Sequence, residues 1–164
     1  MPSIVATFTW LEGLAWTTAL RESPYGYPLI ETSHVACIVI FAGLVIMMDL
    51  RLVGLAFTSS PLAQIQRRLF PWQMATFVLS TATGILLFCV DPLRYYRNVL
   101  FLAKLVFLIL AGLNALAFHF KASRMEKGWD EQITATARLA GGTSLLLWSL
   151  IIVTSRLIPN NWFK

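Results

Sequence analysis

The chain contains two histidines, His34 and His119, and imidazole is the side chain that most readily ligates haem iron or another metal. Both lie in apolar stretches that would run in the same direction through a membrane. With a rise of 1.5 Å per residue they should lie about 20 to 25 Å apart in depth, too far for one haem b to bind both. Two separate haems would each need a further ligand: Met47 or Met48 is expected at the depth of His119, and Cys89 is expected nearer to His34. A symmetric homodimer could instead pair each histidine with its own copy. The alternative is that both histidines are only hydrogen-bonded at the interface.

A second candidate site lies near the start of the same stretch, where Glu31 and His34 form a Glu-x-x-His pair on one helix face. Dinuclear carboxylate bundles use this spacing, but they need two such motifs, and this chain has one. With Cys37 close to one turn further on, a single metal ion such as copper is the remaining metal hypothesis. The competing interpretation is that Glu31 pairs with Lys104, which is expected at a similar depth, while His34 bonds locally.

A third group of polar residues is expected inside the membrane, where ionisable side chains are costly and usually pair or serve function. Asp49 and Arg51 are two residues apart on a helix, so they do not face each other and each needs a partner elsewhere. Asn114 and His119 have a similar depth, which predicts a polar network at this end, while Lys104 is expected towards the other. The network would fix helix packing, or it would form a proton or quinone site.

Composition and pattern determine which elements must position these side chains. Hydrophobic residues make up 57% of the 164 residues and charged residues only 13%, about half the charged fraction of a soluble domain. The pattern predicts an all-α, integral membrane four-helix bundle preceded by an N-terminal interfacial amphipathic helix. Residues 1–28 are predicted to form the interfacial helix and a Pro/Tyr turn, with a membrane span over residues 4–20 as the alternative, and residues 29–164 are predicted to form the bundle. The predicted spans are about 30–57, 72–90, 98–120 and 135–158, the second beginning at Pro71-Trp72.

Charge is spread between the spans and not clustered, which favours lipid contact over nucleic-acid binding despite a net charge of +5. The two loops on one side hold six basic residues and the opposite side holds five, so the positive-inside rule predicts that both termini are periplasmic. The two cysteines show no zinc spacing, and the chain has no GxSxG, P-loop or GxGxxG motif, so a free-standing enzyme is not expected.

Several strings along the chain carry a family resemblance. They are Ser33-His34, Gly43, DLRLVGL at 49–55, Pro71-Trp72, Thr83-Gly84, Lys104, AGLNA at 111–115 and Phe118-His119. Together they resemble a family of small four-helix proteins of the bacterial inner membrane, and the resemblance covers nearly the whole chain. That family has no assigned biochemical function, so the resemblance implies a multi-pass protein of that membrane and little more.

Three functions remain open from these features. The favoured one is a small subunit of a respiratory-type electron-transfer assembly that binds haem or quinone through His34, His119 and their polar neighbours. The second is a cofactor-free accessory subunit of a larger membrane complex, whose partners are other membrane subunits or further copies of itself. The third is a small oligomeric transporter or channel, although the chain lacks the internal repeat and broken helices that many carriers show.

Overall fold

The secondary structure is helical throughout the computed structural model, which describes residues 4–59, 61–123 and 135–160. No strand occurs in these three ranges. In chain order the helices are α1 (Ile4–Glu12), α2 (Ala15–Glu22), α3 (Gly26–Val53), α4 (Leu62–Val90), α5 (Pro92–Tyr96), α6 (Val99–Ser123) and α7 (Ala135–Leu157), and a 3-10 turn follows at Ile158–Asn160. Three of the basic residues counted for the orientation, Arg124, Lys127 and Lys164, lie outside the described residues.

Four of these helices, α3, α4, α6 and α7, are long and apolar enough to cross a membrane. Large apolar side chains point outward along them, including Val39 at 64% exposed and Ile109 at 63%. Only lipid can cover apolar surface of this extent on so short a chain. The chain is a multi-pass helical membrane protein, which confirms the predicted fold class.

The four spans pack in the order α4, α3, α7, α6, because α3 contacts both α4 and α7, and α7 contacts α6. The middle of the bundle is an apolar cluster of buried residues in which Ala42 and Ala111 face Leu147, Trp148 and Ile151. Small residues on α3 and α6 leave space for the Trp148 indole on α7. Its ring meets Phe41 edge to face at a centroid distance of 5.3 Å.

Helix α3 spans Gly26–Val53, so the predicted first span, 30–57, is displaced by about four residues at each end. Pro28 is tolerated in its first turn, where a backbone N–H has no intrahelical partner. The helix ends early because Gly54 adopts φ +86°, and the N–H groups of Gly54 and Leu55 both return to the Leu50 carbonyl. Gly54, the glycine of the DLRLVGL string, is therefore the cap that ends α3.

Helix α4 begins at Leu62, ten residues before the predicted start of the second span, and Pro71 lies inside it. Pro71 was expected in the first turn, and that expectation is wrong. The segment before Pro71, LAQIQRRLF, consists mostly of good helix formers, and it continues the helix through the proline. The third and fourth spans, predicted at 98–120 and 135–158, agree with α6 and α7 at the starts and at the end of α7, while α6 continues three residues further.

The predicted interfacial helix is divided into α1 and α2 by a break at Gly13 and Leu14. Thr17 stabilises this corner between α1 and α2, because its fully buried hydroxyl lies 2.7 Å from the Leu14 carbonyl oxygen. Arg21 closes it with an ion pair to Glu12 at 2.9 Å. Neither helix is long enough to cross the membrane, since α1 has nine residues and is about 14 Å long.

The bundle has two ends with different polar groups. At the His34 end, α3 and α6 begin while α4 and α7 end, and α1, α2 and α5 pack there. Asn98 joins the elements of this end: its side-chain oxygen caps α6 through the Leu100 and Phe101 N–H groups, and its amide donates to the Ile158 carbonyl at 3.0 Å. At the opposite end, called the Asp49 end, α3 and α6 finish while α4 and α7 begin.

Candidate functional site

His34 is bound to α4 through one nitrogen of its ring. Nδ1 lies 2.9 Å from the Ser80 carbonyl oxygen and 3.0 Å from the Thr83 hydroxyl. The Thr83 hydroxyl donates its own proton to the Leu79 carbonyl at 2.7 Å, so both partners of Nδ1 act as acceptors. Nδ1 therefore carries the proton of the neutral ring, and Nε2 presents its lone pair without a hydrogen-bond partner among the described residues.

Gly84 makes the close approach of this ring possible. A Cβ atom at position 84 would lie 2.9 Å from Cε1 of His34 and 3.5 Å from Nδ1. Ser80, Thr83 and Gly84 stand at i, i+3 and i+4, so they share one face of α4. This face of α4 is therefore shaped around the imidazole. The sequence contains the string STATG, but its small and hydroxylated residues indicate only close packing and do not name His34 as the partner.

Two charged side chains act electrostatically on His34: Lys104 from α6 and Glu31 from one turn earlier on α3. Lys104 is partly buried, while Glu31 is exposed. Within the part of the chain that the structure describes, the ion pairs are Arg21 with Glu12 and Arg94 with Asp91. The predicted pairing of Glu31 with Lys104 is therefore wrong. Glu31 is exposed and forms no ion pair with Lys104.

A cluster of aromatic rings covers the bundle at the His34 end. Phe88 of α4 stacks on Phe101 of α6 at 6.0 Å, and Tyr95 of α5 lies 5.0 Å from Phe101. Phe8 of α1 meets Phe88 edge to face at 5.7 Å, which docks the N-terminal helix on the bundle. Burial raises the pKa of Tyr95, and its hydrogen bond with Tyr27 raises that pKa further.

The residues predicted for a metal site do not come together as one. Across the three described ranges, no group of three or more His, Cys, Asp or Glu side chains is placed to hold a metal ion. Glu31 is exposed, Cys37 is a free, partly buried thiol, and His34 is directed at α4. A mononuclear site made of these three side chains is therefore not assembled within one chain.

His119 and Met48, the haem ligands predicted for the opposite end, lie in different environments. His119 is exposed on α6. Met48 is partly buried and packs against the apolar cluster of Leu52, Leu62 and Ala137. Of the two histidines, His34 is the one directed into the bundle. The structure thus separates them by depth, as the helical rise predicts, and by environment as well.

At the Asp49 end, two of the predicted polar residues, Asp49 and Asn114, hydrogen-bond to α7. Asp49 is 5% exposed, Arg51 is 6% exposed, and the Ser144 hydroxyl of α7 donates to the Asp49 carboxyl. Asn114 of α6 donates to the Ala140 carbonyl at 3.0 Å. Lys104 belongs to the His34 end and not to this network. Ser144 could not be identified as the partner of Asp49 from the sequence, because a serine at that position carries no mark of what it contacts.

Gly141 brings α7 against α3 at this level. A Cβ atom there would lie 2.9 Å from Leu52 Cβ and 3.1 Å from the Asp49 carbonyl oxygen. Both polar sites therefore involve α3, which meets a glycine of α4 beside His34 and a glycine of α7 beside Asp49. These features define a multi-pass helical membrane protein with one polar site at each end of its central helix. No protein-family model, curated protein or solved structure matches this chain.

Proposed function

We propose that this protein is a small membrane subunit of an electron-transfer assembly and that His34 ligates haem b through Nε2. The observation that carries the proposal is the bond from His34 Nδ1 to the Ser80 carbonyl oxygen at 2.9 Å. A histidine that ligates a metal through Nε2 almost always donates its Nδ1 proton to a carbonyl or carboxylate, which holds the ring and its tautomer. His34 has this arrangement, in a partly buried position between membrane helices.

The surrounding residues suit such a group. Lys104, which already acts on His34 electrostatically, would provide a cation for a haem carboxylate. Gly84 and Thr83 hold the ring in place, so Nε2 keeps one direction. Haem bound there would supply a one-electron carrier. One chain offers a single axial histidine at this depth, and the second ligand would come from another copy or a neighbouring subunit.

A cofactor-free accessory subunit is the second candidate. It is favoured by the fact that the buried polar contacts join one element to another. His34 joins α3 to α4, Asn114 joins α6 to α7, and Asn98 joins the start of α6 to the 3-10 turn after α7. Under this proposal the same bonds only fix helix packing, and the protein is colourless when purified alone.

The first test is an absorbance spectrum of the protein purified in mild detergent, oxidised and then reduced with dithionite, from cells with ample haem supply. We expect a Soret band and reduced α and β bands in the wild type. The two histidines provide a matched pair of variants: His34→Ala should lose the bands, and His119→Ala should keep them because His119 is exposed. A weakened spectrum is expected in Gly84→Ala, because the new Cβ displaces the ring.

Other outcomes separate the candidates. A colourless wild type with no bound metal refutes haem ligation and favours the accessory subunit, which should then co-purify with larger membrane partners. An unchanged spectrum in His34→Ala refutes the assigned ligand while leaving the haem. A metal bound without haem would point to ligands from beyond the described ranges or from a second chain, since no group of three or more His, Cys, Asp or Glu side chains is placed to hold a metal within those ranges.

We also propose that the protein resides in the bacterial inner membrane with both termini in the periplasm. The small excess of basic residues in the loops on the other side supports this orientation. Fusion of the C-terminus to alkaline phosphatase, which folds only in the periplasm, should give active enzyme. A C-terminal green fluorescent protein should stay dark, and bright fluorescence would reverse the orientation.

A further inference from the structure

Asp49 has a buried carboxyl oxygen without a hydrogen-bond partner. Asp49 is 5% exposed, and Ser144 donates to the carboxyl, but Oδ2 has no hydrogen-bond partner among the described residues. Among the side-chain nitrogen and oxygen atoms of the described residues, Oδ2 of Asp49 is the buried atom left in this state. An unsatisfied oxygen in a membrane interior is costly, so the carboxyl needs a further bonding partner.

The surroundings of this carboxyl limit what that partner can be. Gly141 brings α7 against the Asp49 backbone, since even a Cβ atom there would lie 3.1 Å from the Asp49 carbonyl oxygen. Among the described side chains of the helices near this level, the charged ones are Arg51 on α3, which is itself buried, and the exposed Arg67, Arg68 and Arg138. Among the described residues, the side chain that bonds to this carboxyl is Ser144, and no ion pair joins the carboxyl to a charged side chain.

A metal cation is a poor partner for this carboxyl. Hard cations take six or more oxygen ligands, or keep several waters in an open site. Here Ser144 and the Asp49 carboxyl are the side-chain groups in contact, and the Ala140 carbonyl is engaged by Asn114. The proton is the one cation that needs a single oxygen, and it also removes the charge that lipid disfavours.

We propose that Asp49 is a proton-binding site in the membrane, and that its carboxyl exchanges this proton with water at the Asp49 end of the bundle. On uptake, a proton from hydronium forms an O–H bond at Oδ2, and one water molecule is released. Loss of the proton returns the carboxylate and hydronium. Ser144 donates to the other carboxyl oxygen in both states, so it positions the group and does not carry the proton. The site is independent of the haem proposed at His34.

Infrared spectroscopy of the protein in lipid vesicles tests the proposal, because an undissociated carboxylic acid has a C=O stretch distinct from that of a carboxylate. The wild-type spectrum minus that of Asp49→Asn should contain this band at neutral pH. In D₂O the band should move to lower frequency as deuterium replaces the proton. Ser144→Ala should move it to higher frequency, because the C=O loses a hydrogen bond. Asp91→Asn is the matched control: Asp91 lies outside the spans beside Arg94, and its removal should leave the band unchanged.

Three results would overturn the proposal. The first is a wild-type spectrum without the acid band, which would mean that Asp49 is ionised. The second is a band that does not move in D₂O after long incubation, which would mean a sealed structural acid. The third is a band that disappears when sodium replaces choline at fixed pH, which would mean a metal cation. If Asp49→Asn does not fold, the D₂O and Ser144→Ala shifts still decide, because both are measured with Asp49 in place.

Discussion

Neighbouring glycines on α7 should respond in opposite ways to the same substitution. At Gly141 an added methyl group would lie 2.9 Å from Leu52 Cβ and 3.1 Å from the Asp49 carbonyl oxygen. At Gly142 it would meet nothing within 4 Å. Gly141→Ala should therefore destabilise the bundle, whereas Gly142→Ala should be neutral or stabilising. Both variants change the same helix by the same group, so helix propensity largely cancels in the comparison.

The magnitude follows from the contacts. Overpacking of a core position costs about 1 to 3 kcal/mol, and the upper half applies at Gly141 because neither neighbouring atom is the far end of a flexible side chain. Alanine offsets up to about 1 kcal/mol of this by its helix propensity. A net loss of about 1 to 3 kcal/mol is expected for Gly141→Ala, and a change between zero and about 1 kcal/mol of gain for Gly142→Ala; the propensity gain is common to both, so their difference is the overpacking cost. The two variants should differ by about 2 to 3 kcal/mol, which is roughly a 30- to 150-fold difference in the unfolding equilibrium.

Unfolding in mixed micelles of mild detergent and dodecyl sulfate measures this difference. Near-ultraviolet circular dichroism is a suitable signal, because the buried Trp148 indole of α7 packs against Phe41 of α3 and reports separation of the two helices. Far-ultraviolet spectra control for loss of helix. Equal midpoints for the two variants, or a lower midpoint for Gly142→Ala, would refute the close packing of α7 on α3.

Two further predictions concern the N-terminal corner and the aromatic cluster. Thr17→Val should lower the free energy of unfolding by about 1 to 3 kcal/mol, because it removes a fully buried hydroxyl 2.7 Å from the Leu14 carbonyl oxygen. Amide hydrogen exchange should increase in α1 and α2. The control is Thr9→Val, which should change the exchange little because Thr9 is exposed. The raised pKa of Tyr95 means that the folded state holds its phenolic proton more tightly than the unfolded state, so stability is intact below the ordinary tyrosine value of about 10 and falls as pH rises above it. Thermal unfolding followed between neutral and strongly alkaline pH should show this loss, Tyr95→Phe should reduce it, and Tyr25→Phe, at 77% exposed, should not.

The spans could be predicted from the sequence because lipid imposes one requirement, a continuous apolar helix of sufficient length. Their ends were harder to predict, since local backbone chemistry sets them. Gly54 ends α3 four residues early through its left-handed conformation, while Pro71, a usual mark of a helix start, lies within α4. The sequence alone does not distinguish a proline at a helix start from a proline within a helix, because the difference lies in whether the preceding residues are helical.

Only one partner of each polar contact could be predicted from the sequence. His34, Asp49 and Asn114 are visible in the sequence because such residues are rare inside membranes. Their partners are backbone carbonyls or hydroxyls, as with Ser80 for His34 and Ser144 for Asp49, and these groups occur in every helix. Which carbonyl or hydroxyl contacts the polar side chain depends on the order and rotation of the packed helices. The spacing of residues along the chain does not determine either.

Helix α3 carries both sites, and their separation predicts how strongly they influence each other. His34 and Asp49 are 15 residues apart in one continuous helix, about 22 Å along its axis. At an effective dielectric constant of about 20, unit charges at that distance interact by roughly 0.8 kcal/mol, which is less than a tenfold change in any equilibrium. Stronger coupling would need α3 to move as a body, but it is held by Gly84 of α4 at one end and by Gly141 of α7 at the other. Asp49→Asn should therefore leave the spectrum and midpoint potential of a His34-bound haem nearly unchanged. A large shift in that potential would show that α3 slides or rotates between two packed positions when the proton binds.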